Sequence, residues 1–372
     1  MKLLLCISFF AGTINMTCAQ DTAQNVFIIT IDGVRWQEIF KGADAALLRD
    51  PTFVKDSALM LQQYWHHDAT ESRRRLLPFF WSVIEQQGQL LGNRSLNNKV
   101  NVANLYKISY PGYNEIFTGY ADKILIPNID VYNPNSNILQ FLNRQKDYKG
   151  KVAAFCSWRV FPYILNESDS SFPINAGYEM ANENVSADTL FNGVQKSIAV
   201  KNNTRHDLLT FECAKNYIET QHSKVVYLGL GETDEFAHHG DYDIYLQKLH
   251  QADALIAELW YYVQTNPFYK NNTSFIITTD HGRGRKLHNW NAHGFWIGGS
   301  GETWLALLGN EIAPKGELNE KQHVYQKQLA STIATLLGIT FIANHPVGKS
   351  IALPTMNKPT DNSKEILALK SK

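Results

Sequence analysis

Hydrophobic residues in this chain gather in short runs that end abruptly in polar residues. Four such runs predict buried strands: NVFIITIDG at 25–33, KVAAFCSW at 151–158, KVVYLGLGETDEFAHHG starting at 224, and TSFIITTDHG at 273–282. The runs are apolar at consecutive positions rather than at alternate ones. This pattern is typical of strands covered on both faces, as in a parallel sheet packed between helices.

The segments between these runs show helical periodicity, most clearly YDIYLQKLHQADALIAELWYYVQ at 242–264. Its apolar residues recur every three or four positions and predict one buried helix face. They are Tyr245, Leu249, Ala252, Leu255, Ile256 and Leu259. Strands that alternate with helices predict a doubly wound α/β fold with a mostly parallel sheet and helices on both faces.

Three of the predicted strands are followed by acidic residues, and two of these acids are accompanied by histidine. Asp32 follows the first strand, Asp234 and His238 follow the third, and Asp280 and His281 follow the last. A single aspartate at such a position is more often a turn or helix-cap residue. Ligands of doubly wound sheets bind outside the carboxyl ends of the strands, so three such positions together favour a binding site.

The mixture of carboxylates and imidazoles indicates the metal. Such ligand sets suit zinc, whereas carboxylates combined with carbonyl oxygens suit magnesium or calcium. Downstream, HNWNAHGFWIGG offers His288 and His293, and either could complete the set. Two metals about 3.5–4 Å apart would clamp the attacking and leaving oxygens of a phosphoryl displacement.

A candidate nucleophile lies in KISYPGYNEIFTGYAD, at 107–122, where Ser109 precedes a Pro-Gly pair and a helix-compatible stretch. A serine at the start of a helix usually serves only as its N-cap. The residue type therefore allows a nucleophile without requiring one.

The ordered set of motifs resembles the alkaline phosphatase superfamily, and most closely its nucleotide pyrophosphatase and phosphodiesterase branch. The set comprises Asp32, Ser109 in SYPGYNEIFTG, DEFAH, TTDHG and His293, and the resemblance extends from about residue 25 to 350. It implies two zinc ions, one held by Asp234, His238 and His293 and the other by Asp32, Asp280 and His281. It also implies that Ser109 forms a phosphoseryl intermediate that water then hydrolyses.

Some positions have competitors. His239 adjoins His238, but the family's Asp-to-His spacing selects His238; His293 is preferred to His288 because the following glycine resembles the family's final histidine motif. The phosphodiesterase branch also uses an asparagine to hold a nonbridging phosphate oxygen. Asn128 is the nearest match, with a turn role beside Pro127 as an equal alternative, and Asn114 is second.

Substrate class is less fixed by the resemblance. The sulfatase motif has an arginine where SYPGY has Tyr113, so sulfate ester hydrolysis is disfavoured. Phosphomonoesterases need cationic contacts to a dianionic phosphate. Arg159 is the candidate, with Arg283 and Arg285 flanking the Asp-His loop, although each is more typical of a structural or solvated arginine. The arginines of ESRRRLLP, at 71–78, are interpreted as a solvated face that could also guide an anionic substrate.

The favoured function is therefore hydrolysis of phosphodiester or nucleotide-type substrates. A phosphomonoesterase is the alternative within the same chemistry, and a catalytically inactive binding protein on the same fold is the alternative from another class. A phosphomutase-like transferase is disfavoured because the chain is expected to be exported. Oligomeric state stays open.

Composition adds limits rather than a function. Among 372 residues, 44% are hydrophobic and 19% are charged, an ordinary globular balance. Lys plus Arg equals Asp plus Glu at 35 each, so no overall field favours a nucleic-acid duplex or an anionic membrane.

The N-terminal residues predict export. Residues 1–19 combine Lys2, a short apolar stretch and small residues before Gln20, which indicates a signal peptide. The protein is expected to be periplasmic or secreted, without a transmembrane segment. Lipid anchoring at Cys18 is disfavoured because Thr17 is atypical before a lipidated cysteine.

The mature chain is expected to form one catalytic domain. It extends over residues 20–353, with a cap-like insertion around 120–222 and a polar tail at 354–372. An oxidising compartment would permit a disulfide between Cys156 and Cys213, which their spacing leaves undecided.

Overall fold

The computed structural model describes residues 25–124, 127–181 and 186–353. The predicted signal peptide, Cys18 and the polar tail lie outside the described residues. The strands are β1 Asn25–Ile31, β2 Gly88–Leu91, β3 Asn98–Asn101, β4 Val152–Cys156, β5 Ile174–Ala176, β6 Val225–Leu230, β7 Thr273–Thr278, β8 Glu302–Thr303, β9 Leu305–Gly309, β10 Gly316–Glu317 and β11 Gln322–Tyr325.

Helices follow or separate most of these strands. They are α1 Trp36–Lys41, α2 Ala45–Leu48, α3 Ser57–Tyr64, α4 Ala69–Leu76, α5 Glu85–Gln87, α6 Ser109–Thr118, α7 Ile138–Arg144, α8 Phe161–Ile164, α9 Ser186–Ser197, α10 Asp207–Gln221, α11 Glu232–His239, α12 Tyr242–Thr265 and α13 Leu329–Leu336. A π-helical turn spans Phe80–Ile84, and 3₁₀ turns span Arg94–Leu96, Glu167–Asp169, Leu287–Asn289 and Gln326–Gln328.

The main sheet has eight strands in the order β10-β2-β9-β7-β1-β6-β4-β5. Strands β7, β1, β6, β4 and β5 are parallel neighbours, whereas β9 runs antiparallel to both β7 and β2. A second sheet of three strands has the order β11-β3-β8. The predicted α/β fold with a mostly parallel sheet is confirmed, and the four strands found in the sequence are adjacent in it.

Both faces of the sheet are covered, as the continuous apolar runs require. In β1, Phe27 and Ile29 face one core together with α10 and α12, while Val26 and Ile28 face the other together with α6 and α13. The predicted apolar face of α12 is buried at every position from Tyr245 to Leu259 that the periodicity selects. Burial on both faces explains why these strands lack the alternation of a half-exposed sheet.

The register of the central strands aligns their carboxyl ends. Ile31 of β1 pairs with Leu230 of β6, and Thr30 pairs with Thr278 of β7. The residues that follow these strands therefore leave the sheet at one edge, where doubly wound folds form their ligand crevice.

The interval 120–222 contains elements of the sheet as well as loops. Its strands β4 and β5 lie at the edge of the main sheet, and α10 packs against β4 and β6. The limits of the catalytic domain and of its cap-like insertion stay predictions. Among the described residues no helix is long and apolar enough to cross a membrane. Cys156 and Cys213 are both buried free thiols.

Candidate metal centre and nucleophile

The first cluster of possible metal ligands forms at the ends of β1 and β7. One ligand atom from each of Asp32, Asp280 and His281 lies within 4.8 Å of those of the other two, and all three residues are buried. The Nε2 atom of His281 is 3.6 Å from Oδ1 of Asp32 and 3.4 Å from Oδ2 of Asp280. These three residues are called the first half-site below.

The second cluster forms where α11 meets the loop after β7. Asp234, His281 and His293 also offer ligand atoms within 4.8 Å of one another. His238 joins them, since its Nε2 is 3.1 Å from Oδ2 of Asp234 and 3.1 Å from Nε2 of His293. Asp234, His238 and His293 are called the second half-site below. The structure thus brings together the six predicted ligand residues, with His281 touching both groups.

The histidines that competed for these positions lie elsewhere. His239 is four residues from Glu235 and only 3.9 Å from its carboxylate, and its side chain is half-exposed. His288 lies in the exposed part of the loop after β7. Neither belongs to the two ligand clusters found among the described residues.

Burial makes the first half-site costly without a cation. Burial, and next the neighbouring Asp280, raise the pKa of Asp32 to about 8, while burial raises the pKa of Asp280 to about 7. Oδ1 of Asp32 and Oδ2 of Asp280 are buried and receive no hydrogen bond. Unpaired buried carboxylate oxygens are rare because their desolvation is not repaid. Two of them directed at one imidazole fit a divalent cation.

The imidazoles are oriented as metal ligands usually are. Nδ1 of His281 lies 3.0 Å from the carbonyl oxygen of Gly282, and Nδ1 of His293 lies 3.3 Å from that of Lys107. In a neutral ring, an Nδ1–H that donates to these carbonyls leaves the lone pair on Nε2, and the Nε2 atoms are the ones that face the clusters. Burial lowers the pKa of both histidines, which favours the neutral, ligating form.

Ser109 is the first residue of α6, and its hydroxyl does not cap the helix. The N-cap is Ile108, in an extended conformation and without a side-chain cap. Oγ of Ser109 instead lies 3.3 Å from Nε2 of His281, and the residue is 4% exposed. The hydroxyl therefore faces the imidazole that touches both half-sites.

The residues after Ser109 explain how α6 approaches so closely. A Cβ atom added to Gly112 would lie 2.5 Å from the carbonyl oxygen of Asp280, so the site requires a glycine there. Tyr113, one helical turn after Ser109, donates a 2.9 Å hydrogen bond to Oδ2 of Asp32. In the sequence, Tyr113 served only to disfavour a sulfatase. Its spacing of four residues from Ser109 was the available signal that its hydroxyl could reach a metal ligand.

Asn128 lies beside the start of α6, next to Ser109. Its Oδ1 accepts a 2.9 Å hydrogen bond from the backbone N–H of Tyr110, the residue after Ser109. Its side chain is exposed. The competing Asn114 is buried and committed, because its amide donates to the carbonyl of Tyr120 and its oxygen accepts from Asn133 and Asn135.

Arg159 is half-exposed and paired with other side chains. Its guanidinium pairs with the carboxylate of Asp130 at 2.8 Å and donates to Asn203, and its side chain is 48% exposed. Arg285 is also exposed and pairs with Glu302. A role for Arg159 in substrate binding stays a prediction.

Arg283 is buried at the candidate metal centre, whereas Arg159 and Arg285 are exposed. Its guanidinium contacts a carboxylate oxygen of Asp234 and donates a 3.0 Å hydrogen bond to the carbonyl of Gly33. Burial lowers the pKa of Arg283 to about 9, so the side chain is still charged at neutral pH. Its position two residues after His281 was the only trace of this contact in the sequence.

Known proteins were compared with the chain by sequence and by structure. Residues 171–301 match the sequence profile of a family described as the Metalloenzyme superfamily. No curated protein sequence matches the chain.

Solved structures match over most of the chain. The alkaline phosphatase PafA is 11% identical, with a TM-score of 0.57, over 90% of this chain and 99% of PafA. Murine ectonucleotide pyrophosphatase/phosphodiesterase 5, crystallised in inactive form with AMP, is 13% identical with a TM-score of 0.53, over 88% of this chain and 97% of its own. The lipoteichoic acid synthase LtaP from Listeria monocytogenes is 12% identical with a TM-score of 0.55, over 86% of this chain and 73% of its own.

The chain has the fold of the alkaline phosphatase superfamily. The resemblance inferred from the ordered motifs is confirmed by this match and by the family profile. The profile and the two ligand clusters together indicate that the protein uses a divalent metal on a phosphoesterase-like fold.

Proposed function

We propose that the protein is an exported dinuclear-zinc phosphoesterase that prefers phosphodiester or nucleotide-type substrates. The observation that carries the proposal is the position of the Ser109 hydroxyl, 3.3 Å from Nε2 of the histidine that touches both half-sites. A serine hydroxyl directed into a set of buried carboxylates and imidazoles has the arrangement of an activated nucleophile.

The half-sites fit two zinc ions. The first would be held by Asp32, Asp280 and His281, and the second by Asp234, His238 and His293. The unpaired carboxylate oxygens and the neutral imidazoles support this assignment. When bound, the cations supply positive charge that lowers the pKa of the serine hydroxyl and stabilises the charge of the phosphoryl oxygens.

The residues of the chain then define a two-step displacement. Oγ of Ser109 attacks phosphorus, the ester alcohol leaves, and a phosphoseryl group forms; water hydrolyses that group in the second step and restores the hydroxyl. Ser109 is the first residue of α6, so the phosphoryl group would also lie at the positive end of a helix. Asn128, whose Oδ1 accepts the N–H of Tyr110 at the same helix end, would donate its amide to a nonbridging oxygen.

The arginines favour a diester over a monoester. A dianionic monoester phosphate calls for a free guanidinium at the nucleophile. Arg159 is paired with Asp130, and Arg283 is buried with its donors committed to Asp234 and backbone carbonyls. A diester carries one charge less and needs neither.

Aromatic side chains next to the site offer a surface for the organic part of such a substrate. Phe295 and Trp296 directly follow His293 and Gly294, and they are 47% and 89% exposed. Their rings contact each other, and the ammonium of Lys107 lies 5.9 Å from the centre of the Phe295 ring. Contiguous exposed apolar surface marks a binding site more often than scattered apolar residues do. A nucleotide-type substrate is also supported by the structural neighbour murine ectonucleotide pyrophosphatase/phosphodiesterase 5, whose inactive form was crystallised with AMP.

The test compares hydrolysis of bis-p-nitrophenyl phosphate and p-nitrophenyl phosphate by zinc-loaded protein, with Ser109→Ala as the control. Diester preference that disappears in the variant is expected. Monoester preference would favour the phosphatase alternative and a phosphate-binding role for Arg159. Stoichiometric zinc binding without turnover of either substrate would favour the inactive binding protein.

A further inference from the structure

Arg283 contacts every segment that carries a proposed metal ligand. Nε donates to the carbonyl of Gly33, next to Asp32; Nη1 donates to the carbonyl of Asn291, two residues before His293; and Nη2 contacts both the backbone and the carboxylate of Asp234. The arginine itself follows His281 by two residues. One guanidinium therefore connects the ends of β1 and β7, helix α11 and the loop that holds His293.

This arrangement is tightly fixed. Arg283 is 1% exposed, and Gly33 has a φ of +62°. A Cβ atom on Gly33 would lie 2.6 Å from Oδ1 of Asp234 and 2.9 Å from two guanidinium nitrogens. The guanidinium fork is planar, and it is positively charged at neutral pH.

The charge is distributed unequally between the two half-sites. The first half-site has two carboxylates, Asp32 and Asp280, each with a buried oxygen that no donor reaches. The second half-site has a single carboxylate, Asp234, and its Oδ1 is the atom in contact with Arg283. That same oxygen lies 3.8 Å from Nε2 of His281 and 4.0 Å from Nε2 of His293.

We infer that Arg283 makes the two half-sites unequal, so that the chain binds its first cation at Asp32, Asp280 and His281 and holds the second, at Asp234, His238 and His293, more weakly. The inference rests on the proposed dinuclear site. A buried cation next to the only carboxylate of the second half-site repels an incoming divalent ion and competes for its oxygen. The first half-site has two carboxylates, and although the charge of Arg283 also acts on Asp32, the carboxylate that its guanidinium touches is that of Asp234.

The role assigned to Arg283 is therefore a positioning and charge-setting role rather than a catalytic one. It fixes the ligand-bearing segments with respect to one another, and it sets the order of loading. A purely structural arginine would support both half-sites equally, whereas this one lowers the affinity of a single half-site.

The experiment measures zinc binding to the metal-free full-length protein by calorimetry in competition with a chelator, and follows cobalt binding by visible absorption. Two steps separated by at least about tenfold in affinity are expected. Asp280→Asn should abolish the tighter step and Asp234→Asn the weaker one, which assigns each step to its half-site.

Arg283→Met removes the charge and is expected to tighten the weaker step at least about tenfold, so that the two steps approach each other. Arg283→Gln, which keeps hydrogen-bond donors to the carbonyls, is the second neutral variant if the methionine variant does not fold. Arg283→Lys should keep the steps apart. Arg285→Met is the matched control, because Arg285 is 61% exposed, lies on the same loop and pairs with Glu302.

Equal steps in the unaltered protein would overturn the inference. The inference would also be overturned if Arg283→Met or Arg283→Gln folds and its weaker zinc-binding step is unchanged or weaker still, while Arg285→Met binds zinc like the parent. Phosphodiester turnover is measured separately. If loading is unequal and depends on Arg283 but the protein has no turnover, the proposed function is refuted and the inference stands. If the protein has turnover but the two zinc-binding steps are equal, the inference is refuted and the proposed function stands.

Discussion

The hydroxyl oxygen of Ser109 lies 3.3 Å from Nε2 of His281, although 172 positions separate the two residues in sequence. One comes from the first turn of α6 and the other from the end of β7. Their contact joins the proposed nucleophile to a histidine that belongs to the first half-site and also touches Asp234 of the second.

The close approach of α6 to β7 depends on Gly112. Gly112→Ala is expected to push the helix away from the carbonyl of Asp280, to displace Ser109 and to lower kcat by about a hundredfold. Steady-state kinetics and thermal unfolding measure the effect. Gly193→Ala is the matched control, because it lies in α9 and an added Cβ there meets no atom within 4 Å. That variant should be neutral or slightly stabilising; full activity in Gly112→Ala would show that the contact does not position Ser109.

Tyr113 is expected to act on the metal through Asp32. Tyr113→Phe keeps the packed ring and removes only the hydroxyl that donates to Oδ2 of Asp32. The affinity for zinc should fall about 10- to 100-fold, as for other groups that orient a ligand. Activity should recover at high zinc concentration. A loss of kcat at saturating zinc with unchanged zinc affinity would instead place the hydroxyl in the reaction itself.

Asn128 combines two roles that substitutions can separate. Asn128→Asp keeps an oxygen that accepts the N–H of Tyr110, whereas Asn128→Ala removes it and should cost about 1 kcal/mol of stability, as for other lost helix caps. If the amide holds a phosphate oxygen, both variants lose diester hydrolysis. If the aspartate variant keeps its diesterase activity, only the capping role of Asn128 remains. For each variant, kcat/KM and the free energy of unfolding are measured.

In the metal-free protein, the two carboxyl groups of the first half-site should contribute less stability as the pH rises. The folded-state pKa values of Asp32 and Asp280 are raised from 3.8 to about 8 and about 7. Between pH 3.8 and about 8 these two carboxyl groups therefore bind more protons in the folded chain than in the unfolded chain, and their contribution to the free energy of unfolding declines with increasing pH. Thermal unfolding across this range checks the slope. Zinc should remove this contribution, and the stability of Asp32→Asn should decline less with pH than that of the parent; equal slopes in the two metal-free proteins would contradict the assignment.

The exposed aromatic pair should contribute to substrate selection. Trp296→Ala is expected to raise KM several-fold for a diester whose second group is aromatic, such as bis-p-nitrophenyl phosphate, and to leave methyl p-nitrophenyl phosphate unchanged, since base-like rings gain from stacking. Tyr261→Ala is the control, because Tyr261 is 71% exposed near the C-terminal end of α12. Equal effects on both diesters would argue against a stacking surface.

Local sequence determined much of the fold and the ligand residue types. The apolar runs identified β1, β4, β6 and β7, because strands buried on both faces leave no polar positions along their length. The ordered aspartates and histidines identified the six ligand candidates, because side chains that follow parallel strands must emerge at one edge. The resemblance drawn from these motifs agrees with the family profile and with the fold.

Tertiary structure decided what depends on distance between remote segments. It brought His293, and not His288, into a ligand cluster, and it put the side chain of Asn128 in contact with the residue after Ser109. It also paired Arg159 with Asp130 and buried Arg283 against Asp234. No local pattern records these outcomes, since an arginine has the same sequence appearance on a solvated loop and inside a metal site. Burial and the charges of residues far along the chain decide its role, and only the packed fold specifies both.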